Sequence, residues 1–331
     1  MSGILHFLWS QVLLRLPEPS GSYQGKTIIV TGSNIGLGKE AARHFTRLGA
    51  STVILAVRSL DKGNAAKRDI EATTGTSNVV QVWELDMASY GSVLAFADKV
   101  TKELPRLDIA VLNAGVAKYT YERLEDNEAS ITINVLATFL LALTLLPKLE
   151  ASAQSFDTHP TLTIVASGIH FSAKFNERHA PPGAIFDRLS EELTPAQMQD
   201  DRYPTSKLLD VLCARALSAR RPAAKTRVTI NYVCPGLCKS QLSRDAGWGM
   251  TIFEALFART TEQGSRALVH AASQGADTHG QFMADCRVSA PSPFVLSAEG
   301  KEVQERVWEE LLARLDRVKP GLAQEFGDVV A

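Results

Sequence analysis

Cysteine is scarce, with four in 331 residues (Cys213, Cys234, Cys238 and Cys286) and no Cys-x-x-Cys pair among them. This excludes a disulfide framework and the common zinc spacings; their setting in apolar or strand-like runs predicts free, buried thiols in a reducing compartment. Net charge is almost absent too, 35 Lys and Arg against 36 Asp and Glu leaving −1. Such a balance gives neither nucleic acid nor an anionic membrane an electrostatic footprint. Internal repeats, low-complexity tracts and linkers are lacking, which removes solenoids and disordered classes and leaves one large domain over 21–331. The apolar stretch Ile4–Leu14 has no basic region before it and no small-residue cleavage site after it, so it does not read as a secretory signal. It also falls well short of the roughly 20 apolar residues that span a bilayer. Residues 1–20 therefore read as an apolar helical extension that packs Leu5, Leu8, Trp9 and Leu13 on the body and ends at Pro17 and Pro19. A membrane-interface anchor is the second reading of those side chains, so the expected location is cytoplasmic, with peripheral membrane contact as the alternative.

What is present begins at Thr31-Gly32-Ser33-Asn34-Ile35-Gly36-Leu37-Gly38, between the β-branched run Thr27–Val30 and a helical period from Lys39. Strand, glycine turn and helix in that order aim a helix N-terminus at whatever lies over the turn, which suits a phosphate. Glycine at 32 and 36 removes side chains that would keep a pyrophosphate from the backbone amides, and glycine at 38 lets the helix lie close on the sheet. Further strands are expected at Thr52–Val57, Val79–Leu85, Ile109–Leu112, Thr161–Ala166, Val228–Val233 and Gly280–Ala284, alternating with helical segments such as Ser89–Leu104 and Glu299–Val318. That alternation predicts a doubly wound α/β fold. Arg58, at the end of the second strand, is where a guanidinium would favour a 2′-phosphate over a bare ribose, and Lys62 adds charge one turn on. Asp86 follows the third strand, where it could equally cap the next helix. Asn134 is a single amide in an apolar helical run and needs hydrogen-bond partners if buried.

The motif set resembles the short-chain dehydrogenase/reductase family. Its members combine a Thr-Gly-x-x-x-Gly-x-Gly turn with an Asn-Ala-Gly (here Asn113-Ala114-Gly115), a lone Asn (Asn134), a strand-end Ser (Ser167) and Tyr-x-x-x-Lys (Tyr203 and Lys207), in this order. Leu112 departs from the family's Asn-Asn-Ala-Gly at its first position. The likeness covers about residues 24–290 and leans to the retinol-dehydrogenase-like branch and fungal biosynthetic reductases of secondary metabolism. It implies a Rossmann-type, seven-stranded, mostly parallel sheet with helices on both faces, and NADP(H)-dependent interconversion of a carbonyl and an alcohol. By resemblance, Tyr203 is the proton donor, Lys207 supports it and holds the cofactor ribose, Ser167 holds the carbonyl oxygen and Asn134 a water. The resemblance further implies cofactor contacts from Gly32 to Gly38, Arg58, Lys62, Asp86, Asn113, Ala114, Gly115, Tyr203, Lys207, Pro235, Gly236, Leu237 and Ser240. Residues 169–202 and 237–260 read as substrate loops, with Phe171, Phe175, Phe186, Trp248, Met250, Phe253 and Phe257 favouring an apolar small molecule. Two other readings stay open: a non-redox cyclisation or dehydration on the same scaffold, and a catalytically silent NADP(H)-binding module. The expected assembly is a monomer or a homodimer.

Overall fold

The computed structural model describes residues 10, 11, 13–239 and 257–327. Its main sheet is built from β1 (Thr27–Thr31), β2 (Thr52–Val57), β3 (Val80–Glu84), β4 (Ile109–Leu112), β5 (Thr161–Val165), β6 (Thr229–Cys234), β7 (Phe282–Ala284) and β8 (Arg287–Ser289). The order across it is β8-β7-β6-β5-β4-β1-β2-β3. Neighbours run parallel, with β1 set Ile28 to Val53 on one side and to Ile109 on the other, and β8 alone is antiparallel on β7. Strands β1, β4, β5 and β6 are buried along their whole length, as continuous apolar runs covered on both faces must be.

The sheet has eight strands where seven were expected. Asp285 and Cys286, at φ +53° and +56°, turn the chain back on itself after β7. Two successive left-handed residues are what a two-residue hairpin needs, and with no glycine or asparagine at either position the sequence gives no sign of it.

Helices α1 (Gly36–Arg47), α2 (Leu60–Thr74), α3 (Tyr90–Glu103), α4 (Thr138–Ser155), α5 (Tyr203–Arg220), α6 (Thr261–Ser273) and α7 (Ala298–Val318) cover the two faces. Alternation along β1 divides the core: Ile29 joins Ile54, Phe139, Leu212 and Trp308 on one side. Ile28 and Val30 join Phe45, Leu55, Ile70 and Leu268 on the other. The segment Ile131–Ser155 is long and apolar enough to cross a bilayer, but 83% of its apolar window is buried inside this fold, so it is a core helix here. Of the N-terminal extension, Ser10 and Gln11 are helical and residues 14–20 have no regular structure; Leu13, expected to pack on the body, is 69% exposed, and Leu5, Leu8 and Trp9 lie outside the described residues.

The sheet order reverses between β1 and β4, which start connections to opposite faces. The crevice beyond their carboxyl ends is the place where doubly wound sheets hold ligands.

Candidate active site

At that switch point the glycine turn closes on the end of β4. Thr31, fully buried, accepts through Oγ1 from the amides of both Asn113 and Ala114 at 2.9 Å, and Asn113 Nδ2 donates back to the Thr31 carbonyl at 2.9 Å. The turn is thus stapled to Asn113-Ala114-Gly115. Its glycines are needed for room: a Cβ at Gly32 would come within 3.0 Å of Ala114 Cα, and one at Gly38 within 2.6 Å of Asn113 Nδ2 and 2.8 Å of the Gly32 carbonyl. Gly36, at φ +64°, has nothing within 4 Å of such a Cβ, so the turn is open on that side. No side chain caps the start of α1, where Ile35 is the N-cap, and the first amides of that helix stay free for an anion. Ser33 turns inward, buried, with its hydroxyl on the Val30 carbonyl at 2.7 Å, and offers the crevice backbone only. Leu112 is buried, so the apolar residue in place of the family's first Asn suits its surroundings.

Arg58 and Lys62 are exposed at the carboxyl end of β2, beside the glycine turn. The Arg58 guanidinium has no partner among the described residues, whereas Ser59 is engaged as the cap of α2. Asp86 accepts the Ala88 amide through Oδ1 at 3.0 Å; Ser89, not Asp86, caps α3.

The chemical groups gather at the end of β5. Ser167 follows the strand, and Tyr203 opens α5 within hydrogen-bonding reach of the Ser167 side chain. Lys207, one turn on and 6% exposed, donates from Nζ to the Val165 carbonyl at 2.9 Å and to Asp210 Oδ2 at 2.9 Å. Burial pushes the Tyr203 phenol above its ordinary value, against the pull of the Lys207 charge and the Ser167 bond. For Lys207, burial works downward and is the largest single effect, but Asp210, Tyr203 and Cys234 together hold the ammonium above its usual range. Asp210 itself is pushed up to about 6 by burial, with Lys207 opposing.

Asn134 sits in a π-helical turn, Ile131–Ala137, ahead of α4. Its Oδ1 accepts from the Val116 amide at 2.8 Å, and Nδ2 donates to the Val116 carbonyl and Ser206 Oγ, both at 2.9 Å. Both amide hydrogens are therefore committed to tying the segment after β4 to α5. Oδ1 keeps a spare lone pair on the side of Gly115, where an added Cβ would lie 3.2 Å from Oδ1 and 3.7 Å from Lys207 Nζ.

A short chain dehydrogenase family model matches residues 26–155. The chain is 55% identical over 97% of its length to the short chain dehydrogenase/reductase dmxR8 of Cryptosporiopsis sp. (strain 8999), covering 99% of that protein. This chain belongs to the short-chain dehydrogenase/reductase family. It is also 40% identical, over 96% of its length and 84% of the relative, to the short-chain dehydrogenase anuD of Penicillium roqueforti. Among solved structures, the NADP complex of Pseudomonas aeruginosa RhlG shares its fold, with a TM-score of 0.59 and 21% identity over 80% of this chain and 95% of that one.

In this dehydrogenase/reductase the loop after Ser167 is firmly anchored. His170, buried, sets Nδ1 on the Ser167 carbonyl at 2.6 Å and accepts the Ser292 amide through Nε2 at 3.0 Å, which assigns the neutral tautomer with the proton on Nδ1. Cys234 Sγ accepts from the Gly168 amide at 3.0 Å and the Gly236 amide at 3.3 Å, joining that loop to the Pro235-Gly236 turn. Arg259, buried, donates to the Pro235 and Ser10 carbonyls and pairs with Asp285 at 2.7 Å; Gln11 takes the Leu237 amide at 3.0 Å. Ser240, Trp248, Met250 and Phe253 lie outside the described residues.

Two of the aromatics expected to face a substrate do not. Phe175 and Phe186 are buried in the core, and the 169–202 segment is pinned to α7 by Arg178 on Glu299 and by Glu310 accepting the Gly183 and Ile185 amides. Among the described residues, Ile169 and Phe171, 40% and 54% exposed, present large apolar side chains next to Ser167 in the chain. Sequence reading missed Asp210, His170, Cys234 and Arg259. Only Asp210 carried a signal, an acidic residue three positions after Lys207 on the same helix.

Proposed function

We propose that the chain is an NADP(H)-dependent oxidoreductase that interconverts a carbonyl and an alcohol on an apolar small molecule. The observation that carries this reading is the convergence of Ser167, Tyr203 and Lys207 at the end of β5, in a sheet whose β1 leads into an uncapped helix N-terminus. The residues present fit a nicotinamide dinucleotide. Gly36, at φ +64°, leaves open space over the turn, the first amides of α1 lack a cap, and the exposed Arg58 guanidinium has no partner among the described residues, free for a 2′-phosphate. Gly32 to Gly38 would hold the pyrophosphate through their amides, Arg58 and Lys62 the 2′-phosphate, Asp86 the adenine. Asn113 to Gly115 and Pro235 to Leu237 would line the nicotinamide half, with Ser240 as a further contact. The preference for NADP(H) over NAD(H) rests on Arg58.

When bound, the cofactor supplies the hydride. Tyr203 gives its phenolic proton to the carbonyl oxygen as negative charge builds there, while Ser167 steadies that oxygen by a hydrogen bond. A phenol near pKa ~10 is a slow proton partner at neutral pH, so the Lys207 ammonium stabilises the phenolate left behind. Lys207 Nζ has three hydrogens and two protein acceptors, leaving one donor for a ligand hydroxyl. Asn134 keeps Gly115 and α5 in register and holds one free lone pair for a water that would return the proton. Ile169 and Phe171 favour a substrate whose surface near the carbonyl is apolar. Buried free thiols at Cys213, Cys234 and Cys238 fit a reducing compartment.

The test is NADPH oxidation by the full chain against a panel of aliphatic and aromatic ketones and aldehydes, with Tyr203→Phe in parallel. Carbonyl loss matched mole for mole by NADPH loss, and abolished in the variant, supports the reading; product formation without NADPH consumption overturns it.

A further inference from the structure

Asp210 is fully enclosed, and its Oδ1 has no hydrogen-bond partner among the described residues while Oδ2 faces Lys207 at 2.9 Å. A buried carboxylate with one oxygen unsatisfied is a poor device for stability, since an apolar side chain of similar volume commonly does as well or better. Its effect on the neighbouring charges is the more direct account. The groups facing the Tyr203 and Lys207 pair are Ser167 after β5, Cys234 at the end of β6 and Asp210 on α5, and Cys213 faces Asp210 from the same helix. Burial pushes both thiols up, so they are uncharged at neutral pH. Lys207 and Asp210 are then the charges that act on the phenol.

We propose that Asp210 is a positioning residue that offsets the Lys207 charge, so that Tyr203 rests as a protonated phenol ready to donate. The Lys207 ammonium, one helical turn away, pulls the phenol toward a phenolate with no proton to give, against the burial that raises it, and the Asp210 carboxylate opposes that pull. The carboxylate restores near-neutrality to the buried cluster and also fixes Nζ toward the Val165 carbonyl. Asp210 thereby biases the site toward reduction. The proposal rests on Tyr203 being the proton donor.

The experiment is a pH titration of the full chain carrying tyrosine labelled with ¹³C at Cζ, the Tyr203 resonance being the one lost in Tyr203→Phe. Asp210→Asn is expected to lower the Tyr203 midpoint by about one unit or more, the size of one removed nearby charge. Asp210→Glu is expected to bring it back toward the wild-type value. A folded Asp210→Asn protein with an unmoved Tyr203 midpoint would overturn the proposal. Should Asp210→Asn not fold, the Asp210 carboxyl resonance of the wild type decides: ionised at pH ~7 it supports the offset, protonated there it refutes it. The titration needs no turnover, so it fails separately from the reductase reading, whose failure is an unchanged rate in Tyr203→Phe.

Discussion

Replacing Thr31 by valine keeps the shape of the side chain and removes one oxygen. That oxygen accepts two amides, and the structure assigns them unequal costs. The Asn113 amide also reaches the Val111 carbonyl at 3.1 Å and keeps that bond, whereas the Ala114 amide has Thr31 Oγ1 as its partner. One amide left unsatisfied and one weakened should cost roughly 2–4 kcal/mol, since an orphaned buried donor costs about 1–3 and a typical lost bond about 0.5–1.5. Thr31→Ser keeps the acceptor and loses one buried methyl, about 1 kcal/mol. Serine should therefore be the milder change, although it removes more apolar volume. Urea unfolding of the three proteins, read as midpoint at constant slope, gives the comparison. NADPH titration should show a parallel loss of affinity in the valine protein, because the same staple holds the glycine turn against Asn113-Ala114-Gly115. Equal midpoints for valine and serine, or a valine protein as stable as the parent, would refute the staple.

Tyr203→Phe should bind NADPH as the parent does and reduce carbonyls on the order of 10²–10⁴ times more slowly in single-turnover assays. Acid should destabilise the chain in part through His170, whose pKa is lowered by burial. The folded state holds that imidazole neutral, so its contribution is complete above the unfolded value near ~6.5 and is lost as pH falls below it. His170→Gln should flatten the fall of the thermal midpoint between about pH 7 and about pH 5, and an identical slope in both proteins would contradict this. His44 and His270, also lowered by burial, add to the slope that remains, and Asp210, pushed up to about 6 by burial, opposes it. Gly236→Ala should lower the thermal midpoint, because Gly236 sits at φ +82° and a Cβ there would come within 2.7 Å of Arg259 Nη1; an unchanged midpoint would show that Arg259 moves aside freely.

The strands, the glycine turn and the Tyr203 to Lys207 spacing could be read from the chain because each is a local pattern. Buried parallel strands are unbroken apolar runs, and positions i and i+4 share a helix face whatever surrounds them. What escaped was set at a distance. Phe175 and Phe186 look like cleft aromatics until α7, more than 100 positions on, is seen to pin their segment against the core. Ser33 lies in the cofactor motif, yet only the closed turn shows its hydroxyl facing Val30. The β7 to β8 hairpin was hidden because Asp285 and Cys286 take left-handed conformations that sequence reading assigns to glycine or asparagine. Asp285 is held there by the buried Arg259, a pair formed by residues 26 apart.

The most direct test of the central claim, that the cradle between β1 and β4 binds a phosphorylated nicotinamide dinucleotide, is a fluorescence titration of the purified chain with NADPH and NADH, repeated with Arg58→Ala. NADPH should bind the parent more tightly than NADH, and Arg58→Ala should lose about 10- to 100-fold for NADPH alone, the worth of one charge-assisted contact. Equal affinities in the parent would make Arg58 an ordinary surface residue, and no binding of either nucleotide would contradict the account at its centre.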